Sequence, residues 1–179
     1  MADSPTTQIW MGRAIFVALC IVIIFVQLLP LQTMPRGIGF PDAMLGLVLT
    51  WAARRPDYVP ALLIAAVFLL ADLLFQRPPG LWTALVLILT EMLRARATGL
   101  RSMPFPVEWA TVAAGIVGIT VTYYAILAVL LVPQAPFSLT LTQTVLTILS
   151  YPVVVGLSHA VFGVSRPAAG AVDSRGHRI

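Results

Sequence analysis

Leu69-Leu70-Ala71-Asp72-Leu73-Leu74-Phe75-Gln76-Arg77-Pro78-Pro79-Gly80-Leu81-Trp82 closes one apolar run, turns through Arg-Pro-Pro-Gly and opens the next. Asp72 stands inside the apolar part, just ahead of the turn. A carboxylate in a hydrocarbon-facing segment is costly, so such a residue faces protein or a wet cavity with a partner close by. Any account of the chain must therefore say what Asp72 meets.

Composition extends the same reading to the whole chain. Of 179 residues, 59% are hydrophobic and 10% charged, with a mean hydropathy of +0.95. Soluble domains carry about 25% charged residues, so this balance belongs to an integral membrane protein. The net charge is +4, yet all 11 basic residues are arginines set in short clusters between apolar runs. That placement orients a membrane protein and does not build a nucleic-acid groove. Cys20 is the sole cysteine, so an internal disulfide is excluded and a buried thiol acting as a small hydrophobe is the default. Leu19 stands where a lipid-attachment box wants a small residue. The N-terminus resembles a signal peptide, but no A-x-A site follows its long apolar run, which reads as an uncleaved first span.

A helix needs roughly 20 residues to cross ~30 Å of hydrocarbon. The apolar runs predict six helices, at about 10–31, 41–53, 60–75, 81–93, 107–132 and 138–164, in one transmembrane domain of residues 1–179. The second and fourth are short enough to be re-entrant. The arginines decide. With the N-terminus in the cytoplasm, the inner segments hold Arg13, Arg54, Arg55, Arg94, Arg96, Arg101, Arg166, Arg175 and Arg178, while the outer loops hold only Arg36 and Arg77. That positive-inside pattern requires both short runs to cross, and it puts both termini in the cytoplasm. Trp10, Trp51, Trp82 and Trp109 all fall at proposed span ends, where indole rings favour the interface. Backbone polar groups in lipid must pair internally, so the expected fold is an all-α, six-transmembrane-helix bundle. Residues 165–179 read as a disordered tail.

This topology gathers Asp42, Asp72, Arg36 and Arg77 at the outer face as a polar cluster that could receive a partner or ligand. Against that stands a structural reading, in which Asp42 caps a helix start and Asp72 pairs with Arg77 to tie two spans. Glu91 and Arg94 read as a boundary ion pair, and Glu108 as a charge favoured by a helix dipole. Ala110, Ala114 and Gly118, then Gly156 and Ala160, recur at fourfold spacing and predict close helix packing, internal by preference. Tyr151-Pro152 predicts a freed carbonyl and a kink inside the sixth span. Catalysis has no constellation to rest on: no metal spacing, phosphate loop or nucleophile elbow occurs, so a non-enzymatic protein without cofactor is expected.

Phe40-Pro41-Asp42, Trp51-Ala52-Ala53-Arg54-Arg55-Pro56, Leu70-Ala71-Asp72-Leu73-Leu74, Pro79-Gly80-Leu81 and Tyr151-Pro152 together resemble MreD, the family of rod shape-determining membrane proteins. The resemblance covers most of the chain and is densest from Phe40 to Arg96. Phe40 departs from the family's arginine before Pro-Asp, and Leu69 from a glycine ahead of the buried aspartate. What it implies is a scaffold of the bacterial cell-wall elongation complex in the inner membrane. Such a protein binds MreC and works beside MreB, RodA and its partner transpeptidase, with a fold similar to the substrate-binding subunits of energy-coupling-factor vitamin transporters. Asp42 and Asp72 would be the family's acidic positions, and Arg54, Arg55 and Gly80 its turn positions. The alternative from another class is a subunit that binds a vitamin or other small molecule for uptake, using Asp42, Asp72, Tyr123 and Gln143.

Overall fold

The computed structural model describes residues 5–29, 39–101 and 103–164. Arg36 and the tail from 165 onward lie outside the described residues. Among the described residues six α-helices follow one another: α1 (Pro5–Leu28), α2 (Ala43–Arg54), α3 (Ala61–Leu74), α4 (Leu81–Arg101), α5 (Phe105–Val129) and α6 (Phe137–Phe162). A single 3-10 turn at Pro56–Tyr58 joins α2 to α3, and no strand occurs among the described residues. Among the described residues three helices, over Thr6–Leu28, Phe105–Val129 and Phe137–Phe162, are long and apolar enough to cross a membrane.

The first helix runs from Pro5 to Leu28, earlier at both ends than the sequence reading of 10–31, and two other boundaries differ for local reasons. The fourth helix runs past Leu93 to Arg101, because nothing from Glu91 to Ala97 breaks it and Glu91 pairs with Arg94 one turn on. The fifth stops at Val129 instead of Val132. There Leu131 takes a left-handed φ of 54°, and Val132 N–H closes back on Leu127 O at 3.0 Å.

The second helix is the axis. Every residue from Met44 to Arg54 is buried, and its broadest contacts are with α6 and α4. Helices α2 and α6 run parallel. Asp42 N donates to Thr147 Oγ1 at 2.8 Å near one end, and Trp51 Nε1 donates to Ser158 Oγ at 3.2 Å near the other. The α3–α4 and α5–α6 turns share the Asp42 end, since both line one cleft with Asp42. The start of α1 meets the α2–α3 turn at the Arg54 end, where Arg13 Nε donates to Asp57 O at 3.2 Å.

The tryptophans do not all act as interface markers. Trp10 is 63% exposed, but Trp51 is fully buried, with Phe16, Tyr58 and Phe162 rings within about 6 Å of it. Because α2 is short and central, its end lies inside protein, and the indole there is core. Trp109 has a different task. Pro152 has no N–H to give Ile148, and Trp109 Nε1 donates to that freed carbonyl at 2.9 Å.

The small-residue stripes are a correction as well. Ala110, Ala114 and Gly118 on α5, and Gly156 and Ala160 on α6, are all exposed, and a Cβ at Gly118 or Gly156 would meet nothing within 4 Å. Large side chains elsewhere on α5 carry the internal packing: Val112, Ile116 and Ile119 are buried. Close approach falls instead on Gly115, where a Cβ would lie 2.4 Å from Leu89 Cδ1 of α4. Gly115→Leu should therefore lower the stability of the detergent-solubilised protein by about 1–3 kcal/mol through overpacking. Gly118→Leu should leave the thermal midpoint unchanged, and matching losses at the two positions would contradict this packing.

Candidate functional site

Asp72 has no exposed surface, and its partner is not Arg77. No ion pair joins the two among the described residues. Asp72 Oδ2 instead accepts Gly80 N–H at 3.2 Å, Thr83 N–H at 3.2 Å and Thr83 Oγ1–H at 2.7 Å. It thus caps the start of α4 from the end of α3, where the orphan N–H groups and the positive end of the helix dipole favour a carboxylate. The turn between them is built for this. Gln76 takes φ 54°, and Arg77 N–H closes on Asp72 O at 3.0 Å. Gly80 takes φ 84°, a conformation that favours glycine, and it presents its N–H to the carboxylate. Asp72 Oδ1 is left buried without a partner.

The Arg77 side chain rests on aromatic rings instead. Its guanidinium lies 5.3 Å from the Phe75 ring centroid and 5.8 Å from that of Trp82. Asp42 is 9% exposed and caps α2, its Oδ1 accepting Leu45 N–H at 2.9 Å. Asp42 and Arg77 both line a cleft of about 360 Å³ that reaches down to Thr120 and Thr147. Tyr123 and Gln143 line it too, whereas Asp72 does not. Of the four residues expected to cluster, two share a cleft, one is consumed as a cap, and Arg36 lies outside the described residues.

At the Arg54 end a second polar centre was missed by the sequence reading. Arg54 Nε approaches Glu108 Oε1 at 3.3 Å, and Tyr151 O–H donates to the same oxygen at 2.8 Å. All three are buried, and they fasten α2, α5 and α6 together. Glu108 had looked like a dipole charge because it opens a helix; the usable signal was an unmatched arginine at the close of an apolar run. Arg55, the other turn arginine, sets its guanidinium 5.8 Å from the Tyr58 ring centroid. Glu91 and Arg94 form the expected boundary pair at 2.6 Å, and Arg94 also donates to Val59 O. His159 is exposed on α6, and no group of three or more His, Cys, Asp or Glu among the described residues could hold a metal.

No protein-family model, curated protein or solved structure matches the chain. In the cleft, one carboxylate and one guanidinium border a cavity lined by hydroxyls and amides.

Substitutions at Asp72 and Arg54 test the two buried centres. Asp72→Ala leaves three donors without their acceptor and should lower unfolding free energy by about 1–3 kcal/mol, with Asp72→Asn milder because one acceptor remains. Arg54→Met removes the cation that balances the buried Glu108 carboxylate, which keeps its Tyr151 hydrogen bond, and should cost about 3–5 kcal/mol, much of it recovered in Arg54→Met with Glu108→Gln. Additive losses in that double variant would show that the two side chains do not act as a pair.

Proposed function

We propose that this chain is an MreD-type scaffold of the bacterial cell-wall elongation complex. In this reading it crosses the inner membrane six times, keeps both termini in the cytoplasm and docks the single membrane helix of MreC. It catalyses nothing itself and supports rod shape and lateral peptidoglycan synthesis through its partners. RodA, its partner transpeptidase and MreB are reached through the assembly.

The observation that carries this reading is where the resembling motifs fall in the bundle. Asp42 caps α2, Arg54 pairs with Glu108, Asp72 and Gly80 join α3 to α4, and Tyr151-Pro152 supplies both a hydroxyl to Glu108 and the carbonyl taken by Trp109. The motif residues are those that hold the fold together, which is what a likeness spanning a whole membrane domain should mark. With those groups occupied internally, the exposed Ala110, Ala114 and Gly118 leave α5 a face where another helix can approach closely. The six-crossing arrangement is further supported by charge, since Arg13 and Arg54 lie at the end opposite Arg77.

A second reading, a small-molecule uptake subunit, is favoured by one observation: Asp42, Tyr123 and Gln143 line a single cleft. Saturable binding of a soluble vitamin-like ligand to the purified chain, without MreC association, would replace the scaffold reading.

Co-purification in mild detergent should recover MreC with the wild-type chain, and its absence from both detergent and native-membrane preparations would sink the proposal. Asp72→Ala should weaken that assembly more than Glu91→Ala, because the exposed Glu91 pair is worth at most about 1 kcal/mol. A reporter fused after Gly170 should be active only in the cytoplasm; activity outside the cell would overturn the six-crossing topology.

A further inference from the structure

Among the described residues, Arg77 borders three neighbouring cavities at the Asp42 end. It lines the 360 Å³ cleft, a neighbouring groove of about 520 Å³, and the narrow gap between them. No carboxylate lies within ion-pair distance of it among the described residues. A guanidinium resting on two aromatic rings is partly desolvated, and its planar fork matches the oxygens of a phosphate. A second donor awaits an acceptor beside it. Trp82 is only 9% exposed, borders the cleft, and its Nε1–H has no partner. Buried donors of this kind are ordinarily satisfied, which points to a group that occupies the cleft.

Asp42 narrows the chemistry. It lines the same cleft and the same narrow gap as Arg77, so a ligand there meets one negative and one positive side chain. A zwitterion balances both, while a simple anion would be repelled by Asp42. The neighbouring groove supplies the rest of the argument. It continues from the cleft through Arg77, Thr140 and Gln143, and is walled by Val26, Leu29 and Phe40, all of them exposed apolar side chains. A head held in the polar cleft thus has an apolar channel leading away from it.

We propose that this cleft binds an ethanolamine phospholipid, its phosphate held by Arg77 and Trp82 Nε1–H and its ammonium by Asp42. The apolar groove takes the proximal part of an acyl chain. This site rests on the chain being embedded in lipid and is independent of any MreC contact.

The test is native mass spectrometry of the full chain released from bilayer nanodiscs of equal phosphatidylethanolamine and phosphatidylglycerol. The wild-type chain should retain phosphatidylethanolamine at least about tenfold in excess, since one charge-assisted hydrogen bond is worth that factor. Arg77→Gln should remove most of the retained lipid. Asp42→Asn keeps an oxygen to cap Leu45 and so should fold; it should still hold lipid but lose the preference between the two heads. Circular dichroism melting shows that each variant scored is folded. Equal retention of the two lipids by the wild-type chain, or an undiminished preference in Asp42→Asn, overturns the proposal. So does displacement of the lipid by millimolar glycerophosphoethanolamine, which would assign the same head chemistry to a soluble ligand.

Discussion

Helix α2 has 12 residues, about 18 Å at 1.5 Å per residue, against a hydrocarbon thickness of ~30 Å. Every residue of α2 from Met44 to Arg54 is buried inside the bundle, so the polar groups at its ends must be met by protein. The remaining structure can be derived from that one constraint. At its start, Asp42 supplies the cap, and its own N–H is taken by Thr147 of α6. At its finish, Arg54 is buried and held by Glu108, itself held by Tyr151. Helix α6, with α4, packs against α2, while α5 reaches it at the Arg54 end through Glu108.

The same rule operates between α3 and α4. A buried carboxylate alone would be strongly unfavourable in a low-dielectric bundle. Asp72 is tolerable because it meets the first turn of α4, where unpaired N–H groups lie in a row and the dipole is positive. Charge and donor shortage cancel in a single contact. Proline in α6 follows the same pattern: the carbonyl it frees is answered by an indole from the neighbouring helix. In each case a local defect of one helix is matched by a local defect or donor of another, and these matches fix which helices can be neighbours.

That is also why the sequence spoke clearly on some matters and not on others. Existence and order of the helices follow from apolar runs and prolines, signals carried by neighbouring residues. The cap at Asp42 was readable because the acceptor and its target lie three positions apart. The role of Asp72 was half readable: its burial was evident from Leu69–Leu74, but the choice between Arg77 and the α4 backbone depends on the left-handed φ at Gln76, which no residue type there announces. The Arg54–Glu108–Tyr151 centre joins three helices across long stretches of chain, so no local spacing reveals it. Small residues misled for a related reason. Spacing shows that Gly118 and Ala114 share a face, yet only packing decides whether that face meets this chain or something else, and here the internal contact passed to Gly115.

The cleft itself follows from the shortness of α2. Asp42 bonds to Thr147, which lies 10 residues into α6 (147 − 137), so α2 begins roughly 15 Å below the start of its neighbour. At the opposite end Trp51 meets Ser158, only four residues short of the close of α6 at Phe162, and the two helices finish nearly level. All of the length mismatch is therefore placed at one end. The space above Asp42 is enclosed by the longer α5 and α6 and by the α3–α4 turn, with Arg77 on its wall. An acid at the floor and a base on the wall are thus consequences of two structural needs, a cap for α2 and a turn after α3. A binding site at this place would require no further change of fold, only that the side chains already there meet a ligand of matching charge.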